Sequence, residues 1–275
     1  MKWILIFMST ISLPTTVLSG KQIQTTTIEQ NSNASHFGDR VNHYEKGRKV
    51  YPEEVYAIAA QYINQDEPVL DIGCGTGLST IPLLKKFPNT RGCDWDKKML
   101  AFAEEKAQGH FDDASVYSLP YEQGTVKLAT AFAAFHWFCD DAAAKEISRV
   151  LKPSGYFLIV NATERSPESI FTEPKKILNE ILSVKAKKDN YFPVEVLERN
   201  GFEIVENRDV TFKQPYTVEE AIEFMQSRGG WTSIIEAGKE KEAINALRTH
   251  FNSKADFQGN LYETTTGIIL AKKKA

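Results

Sequence analysis

The stretch Val69-Leu70-Asp71-Ile72-Gly73-Cys74-Gly75-Thr76-Gly77 constrains the fold of this chain more than any other. Four residues of strand character run into three glycines at alternate positions, and the segment from Leu78 to Leu84 then has the apolar spacing of a helix. Strand, glycine turn and helix N-terminus are expected in immediate succession. Glycine tolerates positive φ and lets a ligand approach the backbone, while the first amides of the helix face any negative group. A dinucleotide fingerprint, G-x-G-x-x-G, would need its third glycine where the chain has Leu78 or Thr80. Either the turn only redirects the chain, or it carries a different ligand pressed against backbone.

The pattern D-x-G-x-G-x-G from Asp71 to Gly77 resembles the first motif of class I S-adenosylmethionine (AdoMet) dependent methyltransferases. The resemblance implies an α/β, Rossmann-like fold with a seven-stranded, mostly parallel sheet and helices on both faces. It also implies AdoMet as cofactor, with Asp71, Gly73, Gly75 and Gly77 at its methionine part. Thr90 to Asp94 reads as a second strand, followed by an amphipathic helix from Trp95 to Ala103. In a doubly wound sheet the end of strand 2 lies beside the end of strand 1, where a carboxylate can accept both ribose hydroxyls. The resemblance gives Asp94 that role and sets Trp95 at the adenine; the other reading makes Asp94 a helix cap, for which Asp96 is equally well placed. Ala114-Ser115-Val116-Tyr117-Ser118-Leu119-Pro120-Tyr121 is similar to the third family motif, with Ser115 where an Asp is usual, so adenine recognition falls to Ser115 and the Val116 backbone. A plain strand and turn is the alternative there.

Other matches lie nearer the acceptor. Tyr44 to Pro52 resembles the "Y...R-P-x-Y-P" entry of small-molecule methyltransferases, with Lys49 in place of the proline. Arg48 pairs with a carboxylate of cofactor or substrate, or is a solvated charge between two helices. The fourth strand, Val126 to Phe132, leads into Ala134-Phe135-His136-Trp137-Phe138, similar to methyltransferases of the trans-aconitate methyltransferase type. The strand 1 and strand 4 ends flank the switch-point crevice, so His136 is expected near the transferred methyl, as a general base or as a structural histidine. Tyr44, Arg48, His136, Trp137, Arg228 and Trp231 form the expected substrate wall. Asp140 and Asp141 open a helix, a continuous apolar fifth strand spans Tyr156 to Val160, and a capping box joins Thr217 to Glu220.

Length and charge fit one enzyme-sized domain. The 275 residues carry a net charge of −3, without the basic excess that binding to nucleic acid or a membrane surface favours, so a small-molecule acceptor is expected and neither of those partners. Residues 34–275 form the methyltransferase domain, with 163–200 and 217–251 as lid or wall insertions over the substrate. Residues 1–33 are an unstructured arm or a weak signal segment: Trp3 to Met8 is a short apolar run before Ser9. Cys74, Cys93 and Cys139 are odd in number and lack metal-ligand spacing, which favours reduced thiols, no metal and a cytoplasmic location, with secretion as the alternative. A monomer or weak homodimer is expected. The activity expected is methyl transfer to a carboxylate, hydroxyl, thiol or amine. Three alternatives stay open: an AdoMet-binding protein without transfer, a methyltransferase acting on a macromolecule, and a nucleotide-dependent oxidoreductase, which titration with NAD and AdoMet separates.

Overall fold

The computed structural model describes residues 37–161, 169–184 and 191–274; the expected N-terminal arm or signal segment, and Lys185, Lys187 and Lys188, lie outside them. The strands are β1 (Val69–Ile72), β2 (Thr90–Asp94), β3 (Phe111–Asp113), β4 (Val126–Phe132), β5 (Leu151–Asn161), β6 (Phe202–Thr217) and β7 (Asn260–Lys273). They form one sheet in the order β3-β2-β1-β4-β5-β7-β6. β1 to β5 pair in parallel, and β7 runs antiparallel to both neighbours. The strand order reverses between β1 and β4, which is where an open α/β sheet leaves a crevice.

Alternation within the strands builds a core on each face. Leu70, Ile72, Ala129, Ala131, Phe157, Ile159, Ile269 and Ala271 point to one face and pack against α5 (Asp141–Val150) and α7 (Pro193–Arg199). Their neighbours Val69, Leu128, Phe132, Leu158, Val160, Ile268 and Leu270 point to the other, against Val55 and Ile58 of α2 (Glu53–Ala59) and Leu83 of α3 (Thr80–Lys86). Burial on both faces explains why β1 and β5 read as unbroken apolar runs. At the β3 edge, Leu100 and Ala103 of α4 (Lys97–Lys106) close on Phe111 and Cys74.

β6 and β7 are longer than the sheet they join. Residues 267–272 of β7 pair with β5, whereas residues 260–266 pair with β6 alone among the described residues. Because β7 is antiparallel, this two-stranded ribbon projects past the edge at which β1, β4 and β5 end. A third core grows on it, from α6 (Thr172–Ile181), α8 (Val218–Gln226), α9 (Trp231–Glu236) and α10 (Glu240–Lys254) around Phe171, Tyr216, Phe224, Trp231 and Phe251. We call this unit the cap. The expected insertion 163–200 is therefore divided: α6 joins the cap, but Val196 and Leu197 of α7 are buried in the sheet core. Thr217 and Glu220 make the expected capping box of α8, through Thr217 N to Glu220 Oε2 and Glu220 N to Thr217 Oγ1.

Candidate active site

The glycine turn follows β1 directly, and Gly73, Gly75 and Gly77 all have positive φ (70°, 54° and 76°). Space differs among them. A Cβ on Gly73 would lie 2.7 Å from Ala134 Cβ, and one on Gly77 would lie 2.9 Å from the Phe111 ring, so these two serve close packing. A Cβ on Gly75 would meet only the tips of Met99 and Tyr44, at 3.2 and 3.4 Å. Gly75 is thus the point of the turn where a bound group can lie against backbone. Beside it the Thr76 hydroxyl is buried with no hydrogen-bond partner among the described residues.

Asp71 does not reach that surface. Its side chain is 0% exposed and accepts three hydroxyl hydrogen bonds at 2.7 Å, from Ser79, Thr80 and Thr130. It ties the start of α3 to β4 and so holds the turn from beneath, in place of the direct cofactor contact expected of it. Burial pushes its carboxyl up to about 6, against the downward pull of the three hydroxyls.

Asp94, half-buried at the end of β2, faces the same turn. Gly75 N donates to its Oδ2 at 2.8 Å and Asp96 N to its Oδ1 at 2.9 Å. Each oxygen retains acceptor capacity beyond that one bond. Capping of α4 belongs to Asp96, whose Oδ1 accepts from Lys98 N and Met99 N. Trp95 is 46% exposed next to Asp94. Ser115 and Val116 follow the end of β3 in a tight turn, where Ser115 Oγ accepts weakly from Tyr117 N at 3.3 Å.

Helix α1 (Val41–Gly47) crosses over the turn. Arg48 lies over the Tyr44 ring at 4.6 Å and the Phe224 ring at 5.2 Å, and its Nε donates to Ser227 Oγ at 3.2 Å. Its two terminal amino groups form no hydrogen bond with the described residues. Lys49, in the place of the family proline, pairs with Glu220 at 2.6 Å. Between α1, the turn and the cap lies an open cavity. Gly73, Cys74 and Ser79 line it from the turn, Phe132 and Ala133 from β4, and Tyr44 and Arg48 from the α1 side. Phe212 and Tyr216 of β6, Glu263 of β7 and Phe224 of α8 close it.

The expected substrate residues separate in the structure. Tyr44 and Arg48 line the cavity; His136, Trp137, Arg228 and Trp231 do not. His136 is exposed on a short 3-10 turn (Phe135–Trp137), its ring 5.0 Å from Trp137, which itself is 46% exposed and meets Phe37 edge-on. Arg228 is half-buried in the turn between α8 and α9. Trp231 is 1% exposed in the cap core, where its ring forms no cavity wall. Glu263 is a cavity residue that the sequence reading missed. Its signal was an acid on the inward period of a strand, between buried Leu261 and Thr265.

Residues 70–159, which include the glycine turn, Asp94 and the end of β4, match the family model of a methyltransferase domain. Over those residues the chain has a methyltransferase domain, on the fold of the class I methyltransferases. It is 28% identical over 209 residues to an uncharacterized methyltransferase-like protein of Schizosaccharomyces pombe, covering 74% of this chain and 82% of that protein. Over 148 residues it is 32% identical to a malonyl-[acyl-carrier protein] O-methyltransferase of Halalkalibacterium halodurans, covering 48% of this chain and 53% of the relative. Among solved structures it shares its fold with a phosphoethanolamine N-methyltransferase of Haemonchus contortus in complex with S-adenosylhomocysteine. That match has a TM-score of 0.51 at 16% identity and covers 90% of this chain and 58% of the other. AdoMet is the cofactor of this methyltransferase.

Proposed function

We propose that this methyltransferase acts on a small-molecule acceptor held in the cavity between the glycine turn and the cap. The observation that carries this reading is that one cavity is lined both by Gly73, Cys74 and Ser79 and by Tyr216, Phe224 and Glu263 of the cap. An acceptor there would lie beside the cofactor loop and among the rings of Phe132, Tyr216 and Phe224. Bound AdoMet supplies an electrophilic methyl group on a sulfonium. The chain's own residues then have to align the acceptor and keep water out, which is the larger part of catalysis for an in-line displacement. In this proposal the turn that Gly73 and Gly77 pack in place cradles the amino-acid part at Gly75, and Tyr44 and Arg48 cover it, Arg48 offering its terminal amino groups to a carboxylate. Asp94 accepts the ribose hydroxyls, and Trp95, Ser115 and the Val116 backbone border the adenine. His136 and Trp137 stand at the rim.

The test is a metabolite panel grouped into acids, thiols, amines and phenols, with S-adenosylhomocysteine release as the readout. Turnover confined to one small-molecule group is expected. No turnover on the panel, with turnover on a protein or RNA extract, would overturn the small-molecule proposal. We further propose a cytosolic enzyme, monomeric or weakly dimeric. All three cysteines are free, as a reducing compartment keeps them. Intact mass from the native host should show an uncleaved start; a mature start near Gly20 would reverse the location.

A further inference from the structure

A carboxylate withdrawn from water is costly unless a counter-charge or several donors replace its hydration. Glu263 is 4% exposed, yet it lines the cavity together with Ser79, Ala133 and Gly73. It stands near the start of β7, opposite Gln214 of β6, on the ribbon that projects past the sheet edge. Among the described residues it forms no ion pair. The two cavity cations are engaged elsewhere, Lys49 with Glu220 and Arg48 against Tyr44, Phe224 and Ser227. Its hydrogen bonds come from Ser169 Oγ to Oε2 at 2.8 Å and from Thr264 N to Oε1 at 3.3 Å, the second near the long limit of such a bond. Burial holds the carboxyl above the usual carboxylate range, although Ser169 and the amides of Thr264, Thr265 and Ile170 pull it back. The cap thus presents one carboxylate in a wall otherwise made of the Phe212, Tyr216 and Phe224 rings, the Gln214 amide and two threonines.

Resting on the reading that this cavity receives the methyl acceptor, we propose that Glu263 determines specificity by accepting a hydrogen bond from an O–H or N–H group of that acceptor. Acceptors carrying such a donor are then preferred over matched molecules in which it is capped. The alternative is that Glu263 only tethers Ser169 to β7.

Protein saturated with S-adenosylhomocysteine, on which no transfer can occur, is titrated by calorimetry with phenol against anisole and with aniline against N,N-dimethylaniline. The donor-bearing member of each pair should bind about 10-fold more tightly, the scale of a hydrogen bond to a charged group. Glu263→Gln should shrink that preference severalfold while leaving S-adenosylhomocysteine affinity unchanged, and Ser169→Ala should preserve it. If Glu263→Gln does not fold, Glu263→Asp, which withdraws the carboxylate by one methylene, is measured with the same loss expected. No preference in the parent, including no binding of any of the four probes, would overturn the proposal. So would a preference that survives in the Glu263 variant, or one that Ser169→Ala abolishes equally. Failure of S-adenosylhomocysteine to bind the parent is read first, and would overturn the cofactor site and this proposal together.

Discussion

Asp71 shows how one residue can hold a site without touching what the site binds. Its three hydroxyl partners pull the carboxyl down, but burial dominates and raises it to about 6. A group held above its unfolded value contributes stability that is fully present below about 4 and is lost as pH rises through 6. Parent stability should therefore decline across that window. Asp71→Asn, which does not ionise, should flatten it by on the order of 3 kcal/mol, roughly two pKa units at about 1.4 kcal/mol each. Urea unfolding at several pH values between 4 and 7 measures this, and identical profiles would show that burial does not control the group. His136 makes the opposite case. A general base missing from transfer to a neutral hydroxyl or amine costs about 10² to 10⁴ in rate. His136 is exposed and outside the cavity lining, so His136→Asn should lower kcat less than about 10-fold and act mainly on KM. A loss of 10² or more would make it the base.

Helix α1 is the element on which access to the turn depends. It is bound on one side through Glu45 to Lys106 at 2.5 Å, with Gly38 N of the 3-10 turn before it donating to Asp96 at 2.9 Å, and on the other through His43 to Glu223 at 2.5 Å. Gly47 permits the close contact with α8, since a Cβ there would lie 2.1 Å from Phe224 N, a backbone atom that cannot turn aside. Gly47→Ala should loosen α1. Hydrogen exchange should then accelerate across residues 37–48 while β1, β4 and β5 stay protected; unchanged exchange in α1 would contradict its docking on α8. Elements were legible to different depths. The fourth strand is placed by its apolar run over Val126 to Phe132, and β4 spans those residues. The 16-residue β6 is not readable as one strand, because Glu206-Asn207-Arg208-Asp209 interrupts the alternation at a partly exposed sheet edge. The α7 stripe announces an amphipathic helix but not which surface Val196 and Leu197 will meet.

At the scale of the whole molecule, the glycine turn and the strand ends that follow it were readable because their spacing is local. Glu263, Phe224 and Ser227 reach the same place from residues 224–263, brought there by a β6–β7 ribbon whose projection beyond the sheet has no local sequence signal. The same distance explains why Trp231, an aromatic next to two glycines, reads as a wall and packs as core. In the proposed function, AdoMet at the turn is what joins the two halves. Calorimetry with AdoMet and with NAD, on the parent, Gly75→Val and Asp94→Ala, each shown to be folded, tests that junction. The parent should bind AdoMet and not NAD, and Asp94→Ala should bind AdoMet about 10- to 100-fold more weakly, the equivalent of ~1.5 to 3 kcal/mol for hydrogen bonds to a charged group. Gly75→Val, with a branched side chain where backbone meets ligand, should show no measurable binding. AdoMet affinity equal to the parent's in both folded variants, or a parent that binds NAD instead, would contradict the site described for this chain.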